Sequence, residues 1–327
     1  MATHQSIHLA HRSSGPILAS ETFAFQSHTT PTHTDLEDGE VVLQVLYLNI
    51  DPAMRGWLDD KRSYHATVQL GEVMHGYSIG VKIDRALGTG LGDWLGVLGI
   101  TGMTAYFGMT EIARVNPGDL VVVTGAEGAT GSLAGQIAKL RGAAVVGIAG
   151  SDAKCSWLAD ELGFDKALNY EAPGFRAEFA SATADLIDVF YDNVGGELLD
   201  LGLERAKAHA RFVLCGAISQ HNNGNAYGLR NYLMITRMRI TVRGFVIFDY
   251  ADRFNVARRC LADWLREGRI QHAQTVLRGG LRQAETGLIG LYNGKNTGEI
   301  MFSMNQHLIL MSAAAIGKLL VEVARPP

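Results

Sequence analysis

The pattern of hydrophobic and polar positions divides the chain into a β-rich first part and an alternating second part. The run EVVLQVLYLNI (40–50) is apolar and β-branched enough to form a strand, and it ends at Asp51-Pro52, where proline interrupts the ladder. The glycines that follow between 71 and 92 predict short strands and turns rather than helices.

From residue 120 onward, short apolar runs alternate with stretches of helical periodicity. Strands are predicted over LVVVT (120–124), AAVVGIA (143–149), KALNY (166–170) and LIDVFY (186–191), and near 211–215 and 241–248. Helices are predicted from near Ser132, with Leu133, Ile137 and Leu140 on one face, and over 152–162, 175–182 and 197–207. Such alternation is typical of an α/β fold with a doubly wound parallel sheet.

A glycine-rich loop, GAEGATG (125–131), stands directly between the first of these strands and its helix. Glycine lets the backbone approach a pyrophosphate, whose charge is stabilised by the N–H groups at the helix N-terminus. An ordinary tight strand-to-helix turn is the alternative. The neighbouring strand and helix favour a Rossmann-type dinucleotide site.

The end of the next strand, IAGSDAK (148–154), bears on which dinucleotide binds. Asp152 lies at about the spacing of the acid that holds the ribose in NAD-binding proteins. However, Ser151 or Asp152 could be a plain helix N-cap. Lys154, one turn into the helix, could reach a 2′-phosphate as a point charge, and this favours NADPH.

Composition excludes several other classes of protein. The net charge is −4 and the chain has no Lys/Arg-rich run, which argues against a nucleic-acid partner. The absence of a signal pattern and of a long apolar span predicts a cytoplasmic protein without a membrane partner. Cys155, Cys215 and Cys260 lack metal-ligand spacing, so no metal site is expected and each cysteine is interpreted as a small buried side chain.

Ordered strings over most of the chain resemble the medium-chain dehydrogenase/reductase superfamily. More narrowly, they are similar to its zinc-independent branch of prostaglandin/leukotriene reductases and alkenal double-bond reductases. The strings that carry the resemblance are DPAMRG (51–56), GEVMHGYSIG (71–80), LGVLGITGMTAYFGM (95–109), GIAGSDAK (147–154), YDNVGG (191–196), LCGAISQ (214–220), GFVIFDY (244–250) and GKNTGEIM (294–301).

The resemblance implies a fold and an activity. A GroES-like β-rich catalytic domain would comprise 1–98 and 271–327, and a Rossmann NADPH-binding domain would comprise 99–270, with the active site in the cleft. Family members are NADPH-dependent homodimers, and they reduce the carbon–carbon double bond of small α,β-unsaturated ketones and aldehydes.

The resemblance also implies roles for individual residues. Gly128, Ala129, Thr130 and Gly131 would hold the pyrophosphate, Ser151 and Lys154 the 2′-phosphate end, and Tyr170 the adenosine. The nicotinamide side would be lined by Asn193, Cys215, Gly216, Ala217, Ile218, Ser219, Phe245, Val246, Ile247 and Asn296. Two of these have ordinary alternatives, since Asn193 suits a strand-to-helix turn and Asn296 an Asx turn.

Hydride addition to the β-carbon of an enone requires a hydrogen-bond donor for the developing enolate oxygen. Tyr77 matches a family position that faces the substrate and is the candidate catalytic residue. The alternative is a core tyrosine whose hydroxyl is bonded to a carbonyl.

The chain departs from the family pattern in four places. Ala53 and Arg237 stand where many relatives have tyrosines. The stretch between Gly80 and Trp94 is too short for the strands that the family places there, so the catalytic domain is predicted to be shortened. The tail 302–327 extends beyond the usual end, and Leu308, Met311, Ala315 and Leu319 suggest an extra helix.

Three other functions remain open. The same hydride chemistry suits a quinone reductase. A shortened catalytic domain suits an NADPH-binding protein with little turnover, and a scaffold with a degenerate site would bind no nucleotide.

Overall fold

A computed structural model describes residues 3–29, 40–78, 90–222, 226–294 and 297–312. The chain divides into two compact units. The first unit takes its described residues from Met1–Leu95, Gln274–Asn296 and Ile300–Pro327, and the second from Gly96–Ala273 and Thr297–Glu299. The predicted boundaries, 1–98, 99–270 and 271–327, lie near these divisions, and the role predicted for each domain stays a prediction.

The first unit begins with two antiparallel strands, β1 (Thr3–Leu9) and β2 (Phe23–Thr29). Strand β3 (Glu40–Ile50), the short helix α1 (Ala53–Gly56) and strand β4 (Tyr77–Ser78) follow. The buried Arg55 fixes the loops around α1, because its guanidinium donates to Asp59 at 2.7 Å and to the Gly15 carbonyl at 2.8 Å.

The second unit contains the alternating strands and helices. It begins with α2 (Ile100–Phe107), a helix that the hydrophobic pattern did not indicate, and a π-helical turn (Gly108–Ile112). The elements that follow are β5 (Leu120–Thr124), α3 (Ala129–Leu140), β6 (Ala144–Ala149), α4 (Asp152–Asp160), β7 (Lys166–Asn169), α5 (Phe175–Ala182), β8 (Ile187–Asp192), α6 (Gly196–Glu204), β9 (Ala206–Leu214), α7 (Ile218–His221), α8 (Leu233–Arg237), β10 (Thr241–Gly244) and α9 (Phe254–Arg266).

These strands form one six-stranded parallel sheet in the order β10-β9-β8-β5-β6-β7. The order reverses between β5 and β8, as it does in dinucleotide-binding sheets. Val122, Phe190 and Phe212 belong to the core on one face of the sheet, and the two phenylalanine rings stack with centroids 5.0 Å apart. The predicted doubly wound sheet is confirmed.

Two predicted elements end earlier than expected. The helix predicted over 197–207 ends at Glu204, and β9 begins at Ala206. The strand predicted over 241–248 ends at Gly244, and a 3-10 helix covers Ile247–Arg253. At the second place the apolar run GFVIF (244–248) continues across a change of backbone conformation, so the hydrophobic pattern alone did not mark the boundary.

The chain then continues with β11 (Gln274–Leu277), α10 (Gln283–Tyr292) and β12 (Glu299–Ser312), which belong to the first unit except for Glu299. The unit therefore contains a four-stranded sheet in the order β11-β12-β3-β4. β12 pairs antiparallel with β3, with Leu308 opposite Gln44 and Met311 opposite Val41.

This pairing corrects the predicted tail helix. Leu308 and Met311 lie in β12, because β3 offers a long strand edge with which they pair. Ala315 and Leu319 lie outside the described residues. Most of the stretch predicted to be shortened, 79–89, also lies outside them, and a 3-10 helix covers Leu91–Trp94. Within the described ranges, no helix combines the length and apolar character needed to cross a membrane.

Candidate functional site

The predicted cofactor residues of the second unit follow the carboxyl ends of its six strands. Ligands of open parallel sheets bind at this edge, where the strand order reverses. The residues are Gly128–Gly131 after β5, Ser151 and Lys154 after β6, Tyr170 after β7, Asn193 after β8, Cys215, Gly216, Ala217, Ile218 and Ser219 after β9, and Phe245, Val246 and Ile247 after β10.

The glycine loop makes a tight turn from β5 into α3. Gly125 has a φ of +57°, and its carbonyl accepts from the Gly128 N–H at 3.1 Å. A Cβ on Gly131 would lie 2.3 Å from that carbonyl oxygen, so the helix approaches the loop more closely than any side chain permits. Gly128 is the N-cap of α3 and carries no capping side chain, which leaves the first-turn N–H groups open to an anion.

Asp192, at the end of β8, holds this loop beside its neighbours. Its buried carboxylate accepts from Thr124 Oγ1 at 2.7 Å, from the Gly195 N–H at 3.0 Å and from the Val194 N–H at 3.1 Å. Burial raises the pKa of Asp192, although these three hydrogen bonds act in the opposite direction. The ends of β5 and β8 are therefore tied together by one desolvated carboxyl group.

Asn193 is engaged in the same connection. Its backbone N–H donates to Thr124 Oγ1 at 2.9 Å, and its side-chain amide donates to the Thr124 carbonyl at 2.7 Å. The Asp192 carbonyl accepts from the N–H groups of Cys215 and Gly216 at 2.9 and 3.0 Å, which adds the loop after β9. The strand-to-helix turn considered for Asn193 is thus present, and it brings the loops after β5, β8 and β9 into contact.

The segment that follows β9 remains attached to the turn after β8. The Ile218 N–H donates to the Asn193 carbonyl at 3.1 Å, and Ser219 Oγ donates to the Val194 carbonyl at 2.6 Å. Ala217 is the N-cap residue of the short helix α7.

The loop after β10 approaches the π-helical turn. A Cβ on Gly108 would lie 2.6 Å from the Tyr191 ring and 3.2 Å from Phe245. Val246 is the N-cap residue of the following 3-10 helix, and Ile247 is buried. Asn296 lies outside the described residues.

At the end of β6, the N-cap interpretation of Ser151 agrees with the structure, because its Oγ accepts from the Lys154 N–H at 3.4 Å. Asp152 Oδ1 accepts from Asn169 Nδ2 at 2.8 Å. The Tyr170 ring covers the backbone here, since a Cβ on Gly150 would lie 3.2 Å from its hydroxyl. Lys154, in the first turn of α4, and Tyr170 therefore follow two neighbouring strands, β6 and β7.

A carboxylate that the sequence analysis did not single out lies at the same place. Glu127, in the glycine loop, pairs with Lys154 at 3.2 Å, and the two side chains are 14% and 13% exposed. Burial raises the pKa of the Cys155 thiol to about 11, with Glu127 and Asp152 adding to the shift. The spacing along the chain gave no signal for this pair, because the two residues meet only when β5 and β6 align.

Gly298 is a second residue that the sequence analysis did not assign. Its N–H donates to the Glu127 carbonyl at 2.9 Å, and its φ is +69°. A Cβ there would lie 2.1 Å from the Ala273 carbonyl oxygen. The glycine in the string GKNTGEIM was the available signal, because a left-handed backbone favours glycine.

Comparisons with known proteins place the chain in a family. The family model described as "N-terminal domain of oxidoreductase" matches residues 5–111, and the one described as "Zinc-binding dehydrogenase" matches 129–263. The NADPH-dependent curcumin reductase of Escherichia coli (strain K12) is 34% identical over 302 residues, covering 81% of this chain and 87% of the relative. The chain belongs to the medium-chain dehydrogenase/reductase superfamily, in its zinc-independent alkenal/alkenone reductase branch.

Two further relatives agree with this membership. The 2-alkenal reductase (NADP(+)-dependent) of Nicotiana tabacum is 32% identical, covering 80% of this chain and 86% of the relative. The crystal structure of CurA in complex with NADPH from Vibrio vulnificus has a TM-score of 0.83 at 32% identity, covering 92% of this chain and 99% of that one.

The alignment with the curcumin reductase contains gaps in this chain. The alignment spans 302 positions, but only 81% of this 327-residue chain takes part in it. Some aligned residues of the relative therefore have no counterpart in this chain. Such gaps agree with a chain that is shorter than its relatives internally.

Three further positions that the sequence analysis singled out, Tyr77, Ala53 and Arg237, are distant from the glycine loop in the sequence. Tyr77 lies in β4, where it pairs with Asn49 of β3. Ala53 begins α1, and its N–H donates to Asp51 Oδ1 at 2.7 Å. Arg237 is exposed at the end of α8. Over the residues that the structure describes, no group of three or more His, Cys, Asp or Glu side chains is placed to hold a metal ion.

The Thr124 hydroxyl is predicted to be essential to this site. Thr124→Val removes the donor to Asp192 and the acceptor of the Asn193 N–H, and both groups are then left without this partner. Losing a hydrogen bond to a charged group is expected to lower the free energy of unfolding by about 1.5–3 kcal/mol, which urea unfolding measures.

Thr110→Val is the matched control. Its hydroxyl donates only back along its own helix, to the Tyr106 carbonyl at 2.8 Å, so its loss is expected to cost under about 0.5 kcal/mol. Equal losses for the two variants would contradict the role given to Thr124.

Proposed function

We propose that this chain is an NADPH-dependent reductase that transfers hydride to the carbon–carbon double bond of small α,β-unsaturated ketones and aldehydes. The observation that carries the proposal is the glycine loop between β5 and α3, at the reversal of strand order in a member of this reductase family. The similarity to a curcumin reductase and to a 2-alkenal reductase supports the substrate class.

The residues present fit the pyrophosphate of the dinucleotide. Gly128 and Gly131 present only backbone toward Gly125, and the first turn of α3 offers N–H donors along the positive end of the helix dipole. In this proposal Ala129 and Thr130 contribute their N–H groups beside those of the two glycines. Bound NADPH supplies the hydride.

The two ends of the dinucleotide are assigned to the flanking loops. Ser151, Lys154 and Tyr170 would hold the adenosine end, since they follow β6 and β7. Asn193, the segment 215–219, the segment 245–247 and Asn296 would line the nicotinamide end. The hydrogen bonds that join the loops after β5, β8 and β9 support this assignment, because they hold the nicotinamide side in one arrangement.

Tyr77 is the proposed hydrogen-bond donor to the substrate oxygen. A phenolic hydroxyl stabilises the negative charge that develops on the enone oxygen as hydride reaches the β-carbon. Ala53 and Arg237 stand in the positions of two family tyrosines, so this proposal makes Tyr77 more important here than in relatives that carry all three.

The family homodimer is also a proposal for this chain. Strand β10 is one of the two outer strands of the parallel sheet, and all four of its residues are exposed. An open strand edge can pair with the same edge of a second copy. Sedimentation of the purified chain at the monomer mass would contradict it.

Turnover is tested by following NADPH oxidation with a cyclic enone, a 2-alkenal and a quinone, each beside its saturated or reduced counterpart. The expected product of the enone and of the 2-alkenal retains its carbonyl group and is saturated at the former double bond, with deuterium at the β-carbon when the NADPH is deuterated at the transferred position. Turnover of the quinone alone, to its hydroquinone, would favour a quinone reductase. An allylic alcohol would show carbonyl reduction instead and would contradict the proposal.

Gly128→Val separates cofactor binding from the substrate step. Its branched side chain would project from the N-cap of α3 toward the pyrophosphate, and NADPH binding, followed by fluorescence, is expected to fall at least about tenfold, or about 1.4 kcal/mol. Unchanged affinity would contradict the assignment of the loop. Wild-type binding without turnover would favour a cofactor-binding protein with little catalysis.

A further inference from the structure

The pair of Glu127 and Lys154 places a carboxylate where a 2′-phosphate is expected. Glu127 Oε1 lies 3.2 Å from Lys154 Nζ. Glu127 Oε2 is buried, and within the described part of the chain it accepts no hydrogen bond. One oxygen of this carboxylate therefore holds the lysine, and the other is an unused acceptor.

The negative charge of Glu127 also affects the pKa values of Tyr170 and Cys155. Burial is the main cause that raises the pKa of each, and Glu127 contributes to both shifts. The carboxylate is thus close to the groups that follow β6 and β7, which are the strand ends assigned to the adenosine. Its influence is not confined to Lys154.

The two forms of the adenosine ribose would experience this carboxylate differently. The 2′-phosphate of NADPH carries a charge of about −1.5 to −2 and three acceptor oxygens, so it attracts Lys154 and is repelled by Glu127. The 2′-hydroxyl of NADH is a hydrogen-bond donor, and a carboxylate oxygen is its ordinary partner in dinucleotide sites.

Asp152 does not offer an equivalent acceptor. It lies at about the spacing of a ribose acid, but it is exposed at the first residue of α4, so water can satisfy the carboxylate oxygen that does not accept from Asn169 Nδ2. Glu127 comes instead from the glycine loop, and the hydrogen bond from the Gly298 N–H to its carbonyl fixes the backbone at that residue. The buried, unused oxygen of Glu127 is therefore the better placed partner for a ribose hydroxyl.

We infer that Glu127 determines cofactor selectivity: it accepts the ribose 2′-hydroxyl of NADH and opposes the 2′-phosphate of NADPH, so the site takes both dinucleotides. The inference rests on the proposed function only for the location of the adenosine end. Lys154 then serves two roles, as partner of the 2′-phosphate in one complex and of Glu127 in the other. Discrimination between NADPH and NADH in the wild-type protein is correspondingly small.

Binding of adenosine fragments tests the inference without turnover. Isothermal titration of the full chain with 2′,5′-ADP and with 5′-AMP compares ligands that differ only at the 2′ position. Glu127→Gln removes the charge and keeps the size of the side chain. It is expected to raise affinity for 2′,5′-ADP about tenfold, because a like charge is removed, and to lower affinity for 5′-AMP about two- to fivefold.

Glu161→Gln is the matched control. Glu161 is exposed at the opposite end of α4, and its replacement changes the net charge by the same amount. It is expected to leave the ratio of the two dissociation constants within twofold. Circular dichroism of both variants establishes that the fold is retained.

The outcomes separate this inference from the proposed function. A ratio that is unchanged in Glu127→Gln, while wild-type protein binds both fragments, overturns the inference and leaves the NADPH site in place. The same change of ratio in Glu161→Gln would also overturn it, since a general charge effect would then suffice. Failure of the wild-type protein to bind either fragment or NADPH would instead overturn the proposed function and the inference together.

Discussion

The arrangement of the loops at the carboxyl ends of the parallel strands depends on the buried carboxyl group of Asp192. The hydroxyl of Thr124 and two backbone N–H groups donate to the carboxylate, and the backbone carbonyl of Asp192 accepts from the N–H groups of Cys215 and Gly216. Three loops that follow β5, β8 and β9 are consequently held by a single residue. A buried carboxylate is stable only while its hydrogen bonds are made. Separating the loops would break these bonds and therefore costs free energy.

The glycine loop adds a steric constraint to this electrostatic one. Helix α3 approaches Gly125 so closely that Gly131 cannot carry a side chain, and the turn at Gly125 itself needs a positive φ. The N-cap residue of α3, Gly128, has no side chain that could cap the first-turn N–H groups. These two constraints together produce an anion-binding helix N-terminus at the reversal of strand order, which is the feature that most strongly indicates a dinucleotide.

Sequence patterns predicted the parts of the structure that depend on local interactions. The strands β5 to β8, the loop GAEGATG and its helix were predicted because β-branched runs, glycine spacing and helical periodicity act over a few residues. The tail strand β12 was missed, since its partner β3 lies more than 200 residues earlier and supplies the edge that makes 308–311 a strand. The pairing of Glu127 with Lys154 was missed for the same reason, because only the alignment of β5 with β6 brings them together.

The central claim is that NADPH binds across the carboxyl ends of these strands. Hydrogen–deuterium exchange of the purified chain, with and without NADPH, measures it at the backbone amides concerned. The account predicts slower exchange in 125–131, 150–155, 193–195 and 215–219, with little change in α5 or α9, which lie away from those loops in the sequence. Unchanged exchange in 125–131 at saturating NADPH would contradict it.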